Sequence, residues 1–277
     1  MKVAFATRPA SAASPNEDFI AAAPQTIVVL DGAGVPPGME TGCVHGTPWF
    51  VTQLGAAVLH RSFTQPDQAL ADTLADAIAE VAALHADRCD LSHPGTPSAA
   101  VALLRDHADT VESLVLADCT IVLDRSGGIE AICDDRIDHV ALAERAALEQ
   151  HPTGAGAAHV EALSRLISAQ REHRNRSGGF WVASNEPKAA HQAIIGTTPR
   201  ARLRRAAVMT DGAARLVDRF HMATWPEVLA LLERQGPSAL IDRVRGAEDS
   251  DPERRRWRRS RQHDDATIAV CRFEPEP

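Results

Sequence analysis

The stretch QTIVVLDGAG, residues 25–34, decides how this chain is interpreted. Gln25–Leu30 is a short β-branched run, typical of a buried strand, and it ends at Asp31 and Gly32. A carboxylate at a strand end is held rigidly by the sheet while its oxygens point to an accessible rim. A glycine beside it lets backbone carbonyls approach a ligand closely. The stretch therefore predicts a strand that leads into a candidate ligand-binding turn.

The composition is that of a soluble globular protein, with 277 residues, 44% of them apolar and 24% charged. The net charge of −8 and the 4% of aromatic residues, with no tyrosine, argue against nucleic acid or an anionic membrane as partners of the whole surface. The first apolar run stops at Arg8 and Pro9, too early for a secretory signal, and no apolar run approaches the ~18 residues of a membrane span. We expect a cytoplasmic protein without a membrane partner.

The cysteines are five in number: Cys43, Cys89, Cys119, Cys133 and Cys271. Their number is odd, and they form neither a CxxC motif nor a ladder with histidine. This spacing is typical neither of a disulfide scaffold nor of a structural zinc site. We therefore expect reduced thiols without a structural metal, and we expect Cys119 to be a buried small hydrophobe rather than a nucleophile.

Strands occur in blocks and helices in pairs along the chain. Strands are predicted over residues 2–7, 98–105, 111–124, 129–133, 178–182, 204–209 and 266–273, and helices over 49–60, 67–84, 137–150, 157–174, 187–194, 225–235 and 238–247. The segment His151–Gly156 is predicted to break the chain between an antiparallel helix pair. There is no internal repeat and no long linker. This succession indicates an α+β fold in a single domain, residues 1–277, with helices covering a mainly antiparallel sheet system.

Four acidic motifs share one local pattern. They are Asn16-Glu17-Asp18, Asp31-Gly32, Asp211-Gly212 and Asp264-Asp265, and three of them adjoin predicted strands. Each Asp-Gly pair alone is more typical of a turn. Carboxylates brought together would repel one another unless a hard cation neutralised them, and such oxygen ligands suit Mg²⁺ or Mn²⁺ rather than zinc. The set as a whole therefore indicates a divalent-metal centre.

In this order the motifs resemble those of the metal-dependent serine/threonine protein phosphatases of the type 2C class, over nearly the whole chain. Residues 16–18 are similar to the first acidic motif of that family, VVLDG at 28–32 to the second, VMTDG at 208–212 to the third and DDATIAV at 264–270 to the last. Between them, PSAAVALLR at 97–105 and LVLADCTIVL at 114–123 resemble a strand and hairpin of the family, with Asp118 at the hairpin aspartate.

The resemblance implies a four-layer α-β-β-α sandwich of two antiparallel sheets flanked by helix pairs. It also implies two Mg²⁺ or Mn²⁺ ions that lower the pKa of a water, which hydrolyses phosphoserine or phosphothreonine in a phosphorylated protein. The metal ligands carried over by position are Glu17, Asp31, Gly32, Asp211 and Asp264, and Asp18, Asp118 and Asp265 are further ligands or supporting groups.

Some positions depart from the family pattern. No arginine closely precedes Asn16, the nearest being Arg8, and Arg215 stands where many members have an aspartate for a third metal. Arg215 is predicted to form a salt bridge with Asp118 or to bind phosphate instead. His45 is a candidate to protonate the leaving group, although a lone histidine is more often structural.

The basic run Arg254–Arg261, RRRWRRSR, directly precedes Asp264. It is interpreted either as a solvated loop or as an anion-attracting rim that selects acidic or phosphorylated substrates. Its single tryptophan and the acidic chain argue against nucleic acid. The favoured function is a Mg²⁺/Mn²⁺-dependent phosphoesterase acting on phosphoprotein. Two alternatives stay open: a weakly active or inactive phosphatase-like binding module, and a small-molecule phosphatase.

Overall fold

Two five-stranded antiparallel sheets form the centre of the protein in the computed structural model, which describes residues 1–36, 38–150 and 156–273. In chain order the strands are β1 (Lys2–Arg8), β2 (Asp18–Ala22), β3 (Thr26–Gly32), β4 (Ala99–Asp106), β5 (Thr110–Leu116), β6 (Thr120–Arg125), β7 (Gly128–Cys133), β8 (Ile194–Pro199), β9 (Leu203–Met209) and β10 (Ala266–Arg272). One sheet has the order β2-β3-β4-β5-β8 and the other β1-β10-β9-β6-β7.

Helices cover the outer faces of the two sheets, and a further helix pair packs outside them. The helices are α1 (Thr47–Thr64), α2 (Leu70–His85), α3 (Leu142–Glu149), α4 (Ala157–His173), α5 (Asp211–Asp218), α6 (Trp225–Gln235) and α7 (Pro237–Asp249), with 3-10 turns at Asp135–His139, Pro187–Gln192 and Arg200–Arg202. The apolar stripes of α1 and α2 pack on the β2-to-β8 sheet, and those of α5, α6 and α7 pack on the other sheet, whereas α3 and α4 form the further pair. The predicted α-β-β-α sandwich is therefore confirmed.

Strand β3 shows why its sequence is apolar on both faces. Val28 and Leu30 point into the core beneath α1 and α2, whereas Ile27 and Val29 point into the core between the two sheets. Since successive side chains of a strand alternate between its faces, a central strand buried on both sides has a continuous apolar run. The alternation that marks a half-exposed strand is therefore missing from β3.

The elements outside the sandwich core differ most from prediction. The predicted helix over 137–150 is shorter, because α3 begins at Leu142 after a left-handed residue, Ala141, at φ 52°. The predicted antiparallel partner is α4, which packs against α3; residues 151–155 of the predicted break lie outside the described residues. The predicted strand at 178–182 is wrong, since a turn at Gly178 leaves only isolated bridges there. The edge strands β2 and β8 and the helix α5 had not been predicted.

Strands of both sheets end at one rim of the sandwich. Asp18, at the start of β2, lies opposite Asp31, near the end of β3. Met209, the last residue of β9, is paired with Ile268 near the start of β10. The segments that follow β3 and β9 and precede β10 therefore meet at this rim. Among the described residues, none of the helices combines the length and the apolar character needed to cross a lipid bilayer.

Candidate active site

The predicted carboxylates meet where the two sheets come together. Asp31 ends an apolar strand of one sheet, and Asp211 begins α5 directly after β9 of the other. The backbone N–H of Asp211 donates to Oδ2 of Asp31 at 3.3 Å, across 180 positions of sequence. Asp118, in the turn between β5 and β6, lines the same cleft together with Asp264. Four motifs that are distant in sequence therefore form one acidic cluster.

Asp18 supports this cluster from below. Its side chain is buried, and Oδ2 accepts a hydrogen bond of 3.0 Å from the hydroxyl of Thr210, the residue before Asp211. The Thr210 hydroxyl also accepts the backbone N–H of Thr267 at 3.0 Å. This network ties β2, β9 and β10 together, so Asp18 fixes the position of the neighbouring Asp31 and Asp211.

Asp265 holds the loop that carries Glu17. Its Oδ1 accepts the backbone N–H of Ala10 at 2.6 Å, and its Oδ2 accepts the backbone N–H of Glu17 at 2.7 Å. Both carboxylate oxygens are thus used to fix backbone, which gives Asp265 a positioning role. Glu17 itself faces Arg261, whose Nη1 lies 3.8 Å from Oε2 of Glu17 and 3.7 Å from Oδ1 of Asp264.

Two glycines allow the backbone segments to approach one another. A Cβ added to Gly32 would overlap with the carbonyl oxygen of Glu17 and the methyl group of Thr47, and the Gly32 N–H donates to the Glu17 carbonyl at 3.1 Å. A Cβ added to Gly212 would overlap with the carbonyl oxygen of Asp265. The glycine of each Asp-Gly motif is therefore required by close packing at the site.

The acidic cluster is short of positive charge. Burial, reinforced by Asp18 and Asp211, raises the pKa of Asp31 well above its ordinary value. Burial and the nearby Asp211 raise the pKa of Asp118 to about 7. Burial, only partly offset by Arg215, raises the pKa of Asp211, and burial also raises that of Glu17. Such a set of oxygen donors fits hard divalent cations, which would offset the repulsion.

Arg215 lies beside the cluster with partners that differ from the predicted one. It is buried on α5 and forms ion pairs with Asp264 and, at 2.9 Å, with Oε1 of Glu248 on α7; Asp211 lies 3.9 Å away. Burial opposes its charge, but these carboxylates raise the pKa of Arg215 above its ordinary value. Among the described residues no ion pair joins Arg215 to Asp118, so that predicted salt bridge is wrong. The helix α5 directs Arg215 toward α7 instead.

Arginines also line the cleft, which has a volume of about 330 Å³. They are Arg145, Arg171, Arg174, Arg215, Arg219, Arg258, Arg259 and Arg261. Arg174 donates to the carbonyl of Thr96 at 2.9 Å, and burial lowers the pKa of Arg174 to about 10. Nη2 of Arg171 is buried and has no hydrogen-bond partner among the described residues. The cleft is thus lined by both carboxylates and guanidinium groups.

The basic run 254–261 is divided between two roles. Trp257 and Arg254 are buried, and Arg259 is held by Asp251, with Nη1 and Oδ2 2.8 Å apart. Arg258, Arg259 and Arg261 line the cleft. The part of the run nearest Asp264 therefore lines the cleft, whereas Arg255 and Arg256 are exposed, as in the solvated-loop interpretation.

His45 and Arg8 lie away from the carboxylates. The ring of His45 stacks on Trp49 with centroids 4.3 Å apart, and it does not line the cleft. This placement gives His45 no access to a leaving group there, so the predicted acid role is not supported. Arg8 pairs with Asp242 of α7 at 2.8 Å.

Two groups of residues were missed from the sequence. Arg171 lies in the last turn of the amphipathic helix α4 and Arg174 is its C-cap residue, positions at which arginines are usually solvated, and no motif marks them. Cys43, His45, His85 and Cys89 come together as a group that could hold a metal ion, an arrangement that the expectation of thiols without a structural metal did not anticipate. A signal existed in the two short pairs Cys43-x-His45 and His85-x3-Cys89. Cys119 is buried, as predicted.

Comparisons with known proteins agree with this geometry. The sequence matches the family model of protein phosphatase 2C over residues 7–244. No curated protein matches the chain. The catalytic domain of the serine/threonine phosphatase PstP, solved in complex with two manganese ions, is 13% identical, with a TM-score of 0.55 over 97% of this chain and 96% of that one.

Two further solved structures are similar. Mycobacterium tuberculosis PstP/Ppp is 14% identical, with a TM-score of 0.58 over 99% of each chain. Staphylococcus aureus Stp1 is 13% identical, with a TM-score of 0.55 over 99% of this chain and 95% of that one. These structures share the fold, and the family model covers most of the sequence. The chain therefore belongs to the protein phosphatase 2C family of metal-dependent hydrolases.

Proposed function

We propose that this protein is a Mg²⁺- or Mn²⁺-dependent phosphatase that hydrolyses phosphoserine or phosphothreonine in proteins. The observation that carries the proposal is the contact between Asp31, in a strand of one sheet, and Asp211, which follows a strand of the other sheet. Family membership supports the reaction class. The PstP catalytic domain, which shares the fold and was solved with two manganese ions, supports manganese as one usable metal.

The donor set supports a pair of hard cations. Glu17, Asp31, Asp211 and Asp264 offer carboxylate oxygens, and Gly32 offers its carbonyl at a position where a side chain would not fit. Burial and neighbouring carboxylates raise the pKa values of Glu17, Asp31 and Asp211, as expected for a site that a bound cation would stabilise. When bound, two divalent ions would supply Lewis-acid stabilisation of phosphoryl charge and a water of lowered pKa.

The chain's own arginines support recognition of a phosphate group. Nη2 of Arg171, which is buried and has no hydrogen-bond partner among the described residues, belongs to the lining of the same cleft as the acidic cluster. A guanidinium donates two parallel hydrogen bonds to phosphate oxygens. We propose that Arg171 replaces the arginine that this chain lacks near Asn16. Arg258 and Arg261, at the rim, would attract an acidic or phosphorylated substrate.

Arg215 sets a limit on the strength of metal binding. Its guanidinium already neutralises part of the charge on Asp264 and Asp211, so a divalent ion competes with a fixed cation for the same oxygens. This observation favours the second candidate, a phosphatase-like module of weak or absent turnover. A calorimetric Mn²⁺ titration performed beside a turnover assay separates the two functions.

The test is hydrolysis of p-nitrophenyl phosphate and of phosphoserine, phosphothreonine and phosphotyrosine peptides with and without Mn²⁺. We expect Mn²⁺-dependent turnover that favours phosphoserine or phosphothreonine. Asp211→Asn should lower turnover by more than about a hundredfold, since it removes a proposed ligand. Equal rates for the variant and the wild type would refute the assignment.

The proposed role of Arg171 has a matched control on the same helix. Arg171→Ala should raise KM about tenfold or more, the effect of losing a charge-assisted hydrogen bond. Arg165→Ala, on the exposed side of α4, should leave KM unchanged. Metal binding without turnover would favour the binding module, and faster turnover of sugar phosphates or nucleotides than of phosphopeptides would favour the small-molecule phosphatase.

A further inference from the structure

Two cysteines and two histidines form a cluster outside the cleft. Cys43 and His45 lie in the segment before α1, His85 is the last residue of α2, and Cys89 follows one turn later. Each residue offers one ligand atom, a sulfur or an imidazole nitrogen, and these four atoms all lie within 4.8 Å of one another. None of the four lines the cleft of the acidic cluster.

Four of the six distances between the ligand atoms are close to those of a tetrahedral zinc site, and the other two are below 4.8 Å. Cys43 Sγ lies 3.7 Å from His45 Nδ1 and 3.6 Å from His85 Nδ1. Cys89 Sγ lies 3.4 Å from His45 Nδ1 and 3.4 Å from Cys43 Sγ. Zinc bonds of about 2.3 Å to sulfur and about 2.0–2.1 Å to nitrogen place tetrahedral ligand atoms roughly 3.3–3.8 Å apart. The four side chains therefore surround a point that a zinc ion would fit.

The surrounding structure holds these side chains in place. The backbone N–H of Asp90 donates to the carbonyl of Gly42 at 2.8 Å, which joins the two ligand-bearing segments. Gly42 has φ +70°, and a Cβ there would overlap with His93. Trp49, on α1, stacks on His45 and lies 5.0 Å from the ring of His85. The cluster is thus built by packing of three separate elements.

A disulfide explains the cluster less well. The sulfur atoms of Cys43 and Cys89 are 3.4 Å apart, well beyond a covalent bond of about 2.03–2.05 Å. A disulfide would also give no role to two imidazoles that direct Nδ1 at the sulfur atoms, one of them on the buried His85. Thiolate and imidazole ligands together are the donor set of zinc, whereas Mg²⁺ and Mn²⁺ prefer oxygen.

We propose that Cys43, His45, His85 and Cys89 form a structural zinc site of the Cys2His2 type. Four protein ligands close the coordination sphere, so the site is structural rather than catalytic. It would fasten the segment after β3 to the ends of α1 and α2. That segment carries Gly34 and Val35 of the cleft wall, and Thr47 at the start of α1 donates to the Ala33 carbonyl at 3.4 Å. The zinc ion would thereby stabilise one wall of the proposed active site.

The metal content of the purified full chain is the first test. We expect inductively coupled plasma mass spectrometry to find about one zinc ion per chain in protein purified without added metal. Cys89→Ser should lose at least tenfold in bound zinc, and His60→Ala and Cys133→Ser, outside the cluster, should retain it. Asp211→Asn should lose Mn²⁺-dependent turnover yet keep its zinc, which separates failure of the zinc site from failure of the phosphatase assignment.

The wild-type chain alone provides a second test, in case Cys89→Ser does not fold. Exchange of zinc for Co²⁺ should give the thiolate charge-transfer bands and strong visible absorption of a tetrahedral sulfur–nitrogen site. Zinc should also protect Cys43 and Cys89 from alkylation, and removal of the zinc should make both thiols reactive. Absence of zinc with rapid labelling of both thiols, or a mass showing a Cys43–Cys89 disulfide in the native protein, would overturn the proposal.

Discussion

Asp118 allows the electrostatic account of the cleft to be tested by a single substitution. In the metal-free protein, burial and Asp211 raise its pKa from 3.8 to about 7. The folded state therefore keeps a proton that the unfolded state releases at lower pH. Stability consequently falls as the pH rises from about 4 to about 7, and stays low above that. Asp118→Asn removes the charge with little change of shape, so it should stabilise the metal-free protein.

The magnitude follows from the two pKa values. One pKa unit corresponds to about 1.4 kcal/mol, so ionised Asp118 destabilises the fold by about 4 kcal/mol at pH 8. Asp118 lines an open cleft and is only half-buried, and solvent screening reduces this to about 2 kcal/mol. For a chain of this size the variant should then melt about 4–8 °C higher than the wild type. At pH 5, below the raised pKa, the gain should be smaller than at pH 8.

The assay is thermal unfolding in EDTA, followed by circular dichroism at pH 5 and pH 8. Asp109→Asn, in an exposed turn, is the matched control and should leave the melting temperature unchanged at both pH values. Asp118→Asn should also lose phosphatase activity if Asp118 supports the metal centre. A variant no more stable than the wild type at pH 8, or a gain that does not depend on pH, would refute the reasoning.

Three further predictions concern the same site. Gly212→Ala should lower the free energy of unfolding, measured by denaturant titration, by about 1–3 kcal/mol and should lower activity, because its Cβ would collide with the Asp265 carbonyl. In the same titration the control Gly246→Ala on α7, where a Cβ meets no atom, should be neutral or stabilising. Arg215→Met should lower the free energy of unfolding by about 3 kcal/mol or more in that assay, because it leaves the fully buried Glu248 with only one of its two arginine partners. An unchanged midpoint would contradict this. Mn²⁺ binding at pH 6 should release protons, because the Asp118 carboxyl, whose pKa is raised to about 7, is protonated at that pH without metal. The calorimetric enthalpy at pH 6 should therefore depend on the buffer, and this dependence should shrink above pH 7. Buffer independence at pH 6 would contradict the prediction.

The parts of the fold that the sequence predicts well are specified by local information. The continuous apolar run of β3 and its terminal Asp31-Gly32 are visible without any neighbour, and so is α6, whose predicted and observed bounds are both Trp225–Gln235. Its start is marked by a capping box at Thr224. Three of the four acidic motifs were found for the same reason, because each lies next to a predicted strand.

The missed elements depend on partners that a sequence does not reveal. β2 and β8 are edge strands with half-exposed residues, and they are defined by pairing with β3 and β5 rather than by burial. Asp211-Gly212 was interpreted as a turn, so α5 was not predicted. Without α5, the partners of Arg215 could not be predicted either. The Cys43–Cys89 cluster joins segments separated by the whole of α1 and α2, so only the tertiary fold shows it.

The central claim is that carboxylates from both sheets share a pair of divalent ions. Anomalous diffraction at the manganese absorption edge, from crystals of this protein soaked in Mn²⁺, tests it most directly. The account predicts two peaks among Glu17, Asp31, Asp211 and Asp264, with the peaks lost in Asp211→Asn crystals. Diffraction to good resolution with no manganese peak among these residues at saturating Mn²⁺ would contradict it.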